Sequence, residues 1–259
     1  DDMHERSVTV GIGPVSREDV MAVARYDAQV VIAEDAWAEV RKSREIIEAL
    51  ADDQEPHYGV STGFGALATR HIPVELRAQL QRSLVRSHAA VSGPEVEREV
   101  VRALMLLRIS TLATGRTGIR EETLRSYVAM LNAGLTPVVY EYGSLGCSGD
   151  LAPLAHVALA AIGEGQVRCP DGVLRPAASA LVPLHEVLDT PVLRLVEALL
   201  GALAVARVFF PARRVDAAQH GRVQLEQVLE VAHAEGIDSA RGQDIDQLVA
   251  GHHVVDHVV

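Results

Sequence analysis

The sequence predicts a mainly α-helical protein. Three observations predict this class. Apolar residues recur at helical spacing along most of the chain, and glycine-rich stretches separate these runs. The pattern of a β-hairpin is confined to one short segment. With 259 residues, 48% of them hydrophobic, the chain can bury a sizeable core.

The first two predicted helices lie before residue 51. Ser16 and Asp19 have the spacing of a capping box, so a helix should begin at this serine. Between Glu34 and Leu50 the apolar residues fall on one stripe with charges between them, which predicts a second helix. The stretch "HYGVSTGFGALATR", residues 57–70, interrupts the pattern with three glycines and should form a loop.

The third predicted helix follows Pro73 and ends near a histidine. Leu76, Leu80 and Leu84 recur at every fourth position, and the next position in this row is His88. We therefore expect His88 to face the same direction as the leucines.

The remaining periodic segments predict further helices and one hairpin. A helix containing Val96, Val100, Leu104 and Leu107 should end at "TGRTGIR", and one from Leu124 to Leu131 should end at "NAGLTP". A helix should cover "LAPLAHVALAAIGEG", a hairpin should turn at Asp171-Gly172, and Thr190-Pro191 should begin another long helix. The apolar tract 192–210 contains three charged residues, which predicts a buried helix and no membrane span.

Charge and cysteine content exclude several classes of function. The formal net charge of −11 repels phosphate backbones, so we expect no nucleic-acid partner. The opening residues "DDMHERSVTV" lack the pattern of a signal peptide, and two cysteines are too few for a disulfide framework. These features predict a cytoplasmic protein without a membrane segment.

The glycine-rich stretch "GSLGCSGDLAPLAH", residues 143–156, permits three interpretations. Ser148 or Asp150 could simply cap the following helix. Cys147 could be the nucleophile of a hydrolase, because a helix N-terminus lowers a thiol pKa. In the third interpretation the amide nitrogen of Gly149 attacks the carbonyl carbon of Cys147, and loss of two waters leaves a methylidene conjugated to a carbonyl. The residues alone leave these three possibilities open.

Four motifs together carry a resemblance to a known family. The segments "YGVSTGFG", "LVRSHAA", "GRTGIR" and "GSLGCSGDLAPLAH", in this order and at these separations, resemble the histidine ammonia-lyase branch of the aromatic amino acid ammonia-lyases. The resemblance implies that residues 1–181 form the helical N-terminal region of the ammonia-lyase fold. Residues 182–259 are then a helical segment of unassigned role.

The resemblance implies a self-made electrophile. In this family an Ala-Ser-Gly or Cys-Ser-Gly tripeptide cyclises to methylidene-imidazolone (MIO), and the matching residues here are Cys147, Ser148 and Gly149. No external cofactor and no metal would be needed. The final "GHHVVDHVV" offers His252, His253, Asp256 and His257 as conceivable metal ligands, but a polar chain terminus is the favoured interpretation.

Two further residues match positions with roles in the family. Tyr58 would be the base that removes the substrate β-proton; the alternative is an aromatic side chain that packs on Phe64. His88 would contact the substrate, since a Ser-His pair here resembles the imidazole-selective branch; the alternative is a hydrogen-bonded core histidine. Val91 departs from the family, which usually has glycine at this position.

The implied reaction is elimination of ammonia from L-histidine to give trans-urocanate. The resemblance also implies a homotetramer whose active sites combine residues from several subunits. The competing hypotheses are a non-catalytic helical interaction protein and a cysteine-dependent hydrolase.

Overall fold

The computed structural model describes residues 7–143 and 151–188, and helices dominate these ranges as the sequence predicts. Most predicted helices are confirmed, although the fourth begins after Val96, and the last has no counterpart among the predictions. The helices are α1 (Arg17–Tyr26), α2 (Glu34–Asp52), α3 (Val74–His88), α4 (Arg98–Ala113), α5 (Glu121–Asn132), α6 (Leu151–Ala161) and α7 (Ala177–Leu188), with a short 3-10 helix at Gly65–Leu67.

The strands are short and form three small sheets. Their bounds are β1 (Ser7–Val10), β2 (Gln29–Ile32), β3 (Ser92–Glu95), β4 (Thr136–Pro137), β5 (Tyr140–Tyr142), β6 (Gln166–Arg168) and β7 (Leu174–Pro176). β1 pairs with β2 in parallel, β3 with β5 antiparallel, and β6 lies antiparallel between β4 and β7. The β6–β7 pair is the predicted hairpin, whereas the other pairs were not expected.

The core is built around α4. Most of its side chains are buried, and the helix packs against α1, α2 and α5. Met105, Leu106, Ile109 and Leu112 are fully enclosed. Burial of these apolar side chains supplies the main stabilisation of the fold.

Helix α1 begins with the predicted capping box. The Asp19 amide donates to Ser16 Oγ at 3.1 Å, and the Ser16 amide donates to Asp19 Oδ2 at 3.1 Å. Each side chain thus satisfies a backbone donor that the first helical turn leaves without an intrahelical acceptor.

The "GRTGIR" motif packs closely against a neighbouring helix. It connects α4 to α5, and a Cβ atom at Gly118 would collide with the side chain of Ile47 on α2. Gly118 also has φ +65°, a conformation that favours glycine. The motif therefore allows α2 to approach the α4–α5 connection closely.

One buried arginine joins the C-terminal ends of two helices. Arg102 is 1% exposed and donates to Val23 O from Nε and Nη2 at 3.0 and 2.9 Å, and to Leu131 O from Nη1 at 3.0 Å. An ion pair with Asp27 Oδ1 at 3.0 Å adds to these contacts. Burial lowers the pKa of Arg102 to about 10, so its guanidinium stays charged at neutral pH.

Several predictions fall on residues outside the described ranges. These are the MIO tripeptide 147–149, the helix starting at Thr190-Pro191, the apolar tract 192–210 and the C-terminal histidines. The predicted domain division after Leu181 falls inside α7 and stays a prediction. Within residues 7–143 and 151–188, the helices are too short or too polar to cross a bilayer.

Candidate active site

His88 lies at the C-terminal end of α3, where its ring is fixed by the backbone. Its Nδ1 is 2.9 Å from Leu84 O, the carbonyl one turn earlier, and 3.1 Å from Ser87 Oγ. Because a carbonyl oxygen only accepts, Nδ1 must carry the proton of this hydrogen bond. In the neutral ring Nε2 is then left as an acceptor.

The predicted row of leucines on α3 is only partly buried. Leu80, Leu84 and His88 are half-buried and Leu76 is exposed, while the buried side chains of this helix are Gln81 and Val85. His88 is therefore not enclosed in the core of the described residues. This position leaves its ring available for a ligand.

Tyr58 lies in the predicted loop before α3. Its ring packs edge-to-face on Phe64, with centroids 5.6 Å apart, and its hydroxyl oxygen accepts a long hydrogen bond of 3.4 Å from the Gly65 amide. The predicted packing on Phe64 is thus present. Tyr58 as a whole is half-buried, and its hydroxyl can both donate and accept a hydrogen bond.

Gln81 connects the loop of Tyr58 to the helix of His88. The side chain is buried, and its Nε2 donates to Gly59 O at 3.5 Å. Gln81 and His88 are seven residues apart on α3, which corresponds to about 10 Å along the axis and to one face of the helix. A single helix therefore supports both candidate residues.

Strand β5 and helix α6, on either side of residues 144–150, contact β3 and α3, the two elements that follow and contain His88. β5 ends at Tyr142 and pairs with β3, which begins four residues after His88. α6 begins at Leu151 and packs against α3 itself. Cys147, Ser148 and Gly149 lie outside the described ranges; the described residue before their segment, Gly143, packs on Val91, and the helix after it packs on α3.

Val91 closes the space next to the start of that segment. A Cβ atom at Gly143 would collide with the Val91 side chain and crowd its Cα. The two residues lie at the ends of β3 and β5 that are closest to the glycine-rich segment. Val91 replaces the glycine that is usual in the family, and its side chain occupies the space left by the missing side chain of Gly143.

Glu164, in the turn after α6, binds two arginines of α3. Arg86 donates to its carboxylate from Nε and Nη2 at 2.7 and 2.8 Å, and Arg82 Nε lies 2.9 Å from Oε1. The bidentate contact with Arg86 is the main cause that lowers the pKa of Glu164. The carboxylate is thus ionised at neutral pH and holds the last turns of α3.

His156, in the middle of α6, lies beside the same end of α3. Burial lowers its pKa, while backbone groups of Ala89 and Val138 oppose this shift. Its ring makes an edge-to-face contact with Tyr140, with centroids 6.0 Å apart, and its Nε2 is buried and has no hydrogen-bond partner among the described residues. We conclude that this imidazole is neutral at pH 7.

No sequence motif assigns a role to Gln81, Glu164 or His156. Their contacts join residues that are distant in the chain; Arg86 and Glu164, for example, are 78 positions apart. Hydrophobic periodicity does not reveal such pairs. Within the described ranges His, Cys, Asp and Glu side chains form no group suited to a metal ion. The C-terminal histidines lie outside those ranges.

Comparison with known proteins identifies a family and several relatives. The family model for the aromatic amino acid lyases matches residues 15–187. The histidine ammonia-lyase of Streptomyces coelicolor is 53% identical over 207 residues, which cover 77% of this chain and 40% of the relative. The corresponding protein of Symbiobacterium thermophilum is 49% identical over 148 residues, 57% of this chain and 29% of the relative.

Solved structures agree with this assignment of the fold. Histidine ammonia-lyase from Trypanosoma cruzi matches with a TM-score of 0.64 and 31% identity, over 71% of this chain and 35% of that chain. The ergothioneine-degrading enzyme ergothionase from Treponema denticola matches with a TM-score of 0.65 and 35% identity, over 68% and 35%. This chain thus spans well under half the length of these relatives.

Proposed function

Because this chain belongs to the aromatic amino acid lyase family, we propose that it acts in the elimination of ammonia from L-histidine to give trans-urocanate. The identities of 53% and 49% to histidine ammonia-lyases support histidine as the substrate. The Ser87-His88 pair supports the same choice, since it resembles the imidazole-selective branch of the family.

Cys147, Ser148 and Gly149 are the residues that would form MIO. Their chemistry fits the group: glycine offers an unhindered amide nitrogen, and serine offers a hydroxyl that can leave as water. Close packing of Val91 on Gly143 fixes the described residue four positions before Cys147. The group supplies an electron-poor carbon that acts as an electron sink, which ordinary side chains do not provide.

His88 and Tyr58 have complementary roles in this proposal. With Nδ1 donating to Leu84 O, His88 presents Nε2 as an acceptor for an N–H of the substrate imidazole. Tyr58 removes a proton from Cβ, the electrons of that bond form the Cα=Cβ double bond, and the Cα–N bond breaks as ammonia leaves. The bonds broken and formed balance without an oxidant or reductant.

One observation carries the proposal. The strand before residues 144–150, β5, pairs with β3, which begins four residues after His88, and the helix after them, α6, packs against α3, which ends at His88. A substrate bound to His88 would therefore lie close to the segment that contains Ser148. We further propose a cytoplasmic homotetramer, which the resemblance to the family supports.

The test is a substrate comparison with the purified protein. We expect urocanate absorbance to develop with L-histidine, and less product from L-phenylalanine, L-tyrosine or ergothioneine. His88→Leu should lower turnover of L-histidine far more than His71→Leu, a matched change at an exposed histidine. Preference for another substrate would refute L-histidine as the substrate, and no ammonia from any of them would refute the proposed function and favour the non-catalytic interaction protein.

A further inference from the structure

We propose that Glu164 is a positioning residue for His88. Its carboxylate binds Arg86 through two hydrogen bonds of 2.7 and 2.8 Å, and Arg82 adds an ion pair at 2.9 Å. A bidentate contact between guanidinium and carboxylate fixes both distance and orientation. The inference rests on the proposed function only in taking His88 as the group that contacts substrate.

The contacts of α6 with α3 lie on both sides of His88. Arg86, two residues before the histidine, is bound by Glu164 beyond the end of α6. Ala89, one residue after it, has its backbone against the His156 ring in the middle of α6. The two helices thus run antiparallel, and His88 lies between the two points of contact.

The turn that Glu164 holds is also the turn that fixes the His88 ring. Leu84, whose carbonyl accepts the Nδ1 proton, lies between Arg82 and Arg86 in the chain. The last turn of a helix frays when tertiary contacts do not hold it. Loss of the carboxylate would therefore loosen the Leu84 carbonyl, and both neutral tautomers of His88 would become populated.

Glutamate 95 offers a matched control. Its carboxylate also makes a bidentate contact with an arginine, Arg168, at 2.7 and 3.0 Å, but this pair lies between β3 and β6. Glu95→Gln and Glu164→Gln thus remove the same type of interaction. A change in the His88 ring signals that occurs in Glu164→Gln and not in Glu95→Gln is therefore attributed to the contacts of Glu164 with α3.

The experiment measures the ring nitrogens of His88 by 15N NMR at neutral pH, with the melting temperature of each variant. We expect a protonated Nδ1 in the wild type and in Glu95→Gln, and a mixture of tautomers in Glu164→Gln. Arg86→Lys, which keeps the charge but loses the second hydrogen bond, should give an intermediate result. Unchanged His88 signals in Glu164→Gln and in Arg86→Lys would overturn the proposal, whatever the melting temperatures.

Kinetics provide the second measurement. Glu164→Gln should raise the KM for L-histidine several-fold and change kcat less, because the carboxylate orients a binding group and touches no reacting atom. An equal loss in Glu95→Gln would overturn the proposal. The NMR result does not depend on turnover, so a wild type that makes no urocanate would refute the proposed function and leave the positioning role to be decided by the His88 signals.

Discussion

The side chain of Val91 fills the space that a Cβ atom on Gly143 would need. Val91 lies three residues after His88, the candidate substrate-binding residue. Gly143 lies four residues before Cys147, the first residue of the candidate MIO tripeptide. Close packing at this point joins the residue before β3 to the residue after β5.

This contact predicts compensation between two substitutions. Gly143→Ala should lower the free energy of unfolding by about 1–3 kcal/mol, because the new methyl group overpacks the site. In a Val91→Gly background the same change should cost much less. Gly13→Ala is the control, since nothing lies within 4 Å of a Cβ there. Additive effects in urea denaturation of the four variants would argue against the contact.

Arg102 should be far more important for stability than its neighbour Arg98, although both contact Asp27. Arg102→Met removes both guanidinium hydrogen bonds to the buried Val23 carbonyl and one donor to the Leu131 carbonyl, which also accepts from the Gly134 amide, and should cost about 3 kcal/mol. Arg98→Met removes an exposed ion pair and should cost under about 1 kcal/mol. Equal losses in chemical denaturation would show that the carbonyl contacts contribute little.

Acid should destabilise the fold through His156. In the unfolded chain this group titrates near its ordinary pKa of 6.5, whereas burial lowers the pKa in the folded state. Between the two values the unfolded chain binds more protons, so stability falls as the pH drops below 6.5. His156→Gln should flatten the dependence of stability on pH in this range, and the exposed His71→Gln should not. Parallel curves for the wild type and His156→Gln would contradict this assignment.

Tyr58→Phe should abolish turnover and preserve the fold. The variant keeps the aromatic contact with Phe64 and loses only the hydroxyl, whose hydrogen bond from the Gly65 amide is long, at 3.4 Å. Removal of a general base should lower kcat about 10²–10⁴-fold, with little change in melting temperature. If turnover of L-histidine stays within a few-fold of the wild type, Tyr58 is not the base.

The helical architecture could be predicted because it depends on local patterns. The capping box of Ser16 and Asp19 and the hairpin at Asp171-Gly172 involve residues within a few positions of each other. The parallel pair β1–β2 was not predicted: "SVTV" alternates polar and apolar residues, but "QVVI" does not, although burial alternates along both strands. Four-residue strands are too short for this signal to outweigh the helical background.

Contacts between distant segments could not be predicted from one sequence. The side-chain amide of Asn132 both accepts from Val30 N and donates to Val30 O, so it extends the β1–β2 pair across 102 residues of chain. The contacts of Gln81 with Gly59 and of Glu164 with Arg86 are of the same kind. Sequence motifs identify the candidate site residues. The residues that support them, such as Gln81 and Glu164, can be identified only from the fold.

Intact-mass spectrometry of the purified protein, compared with Ser148→Ala, tests the central claim most directly. If Cys147, Ser148 and Gly149 cyclise, the wild type is lighter than its sequence mass by two water molecules, and the variant, which lacks the hydroxyl, does not show this loss. A wild-type protein of full mass that still converts L-histidine to urocanate would contradict the account.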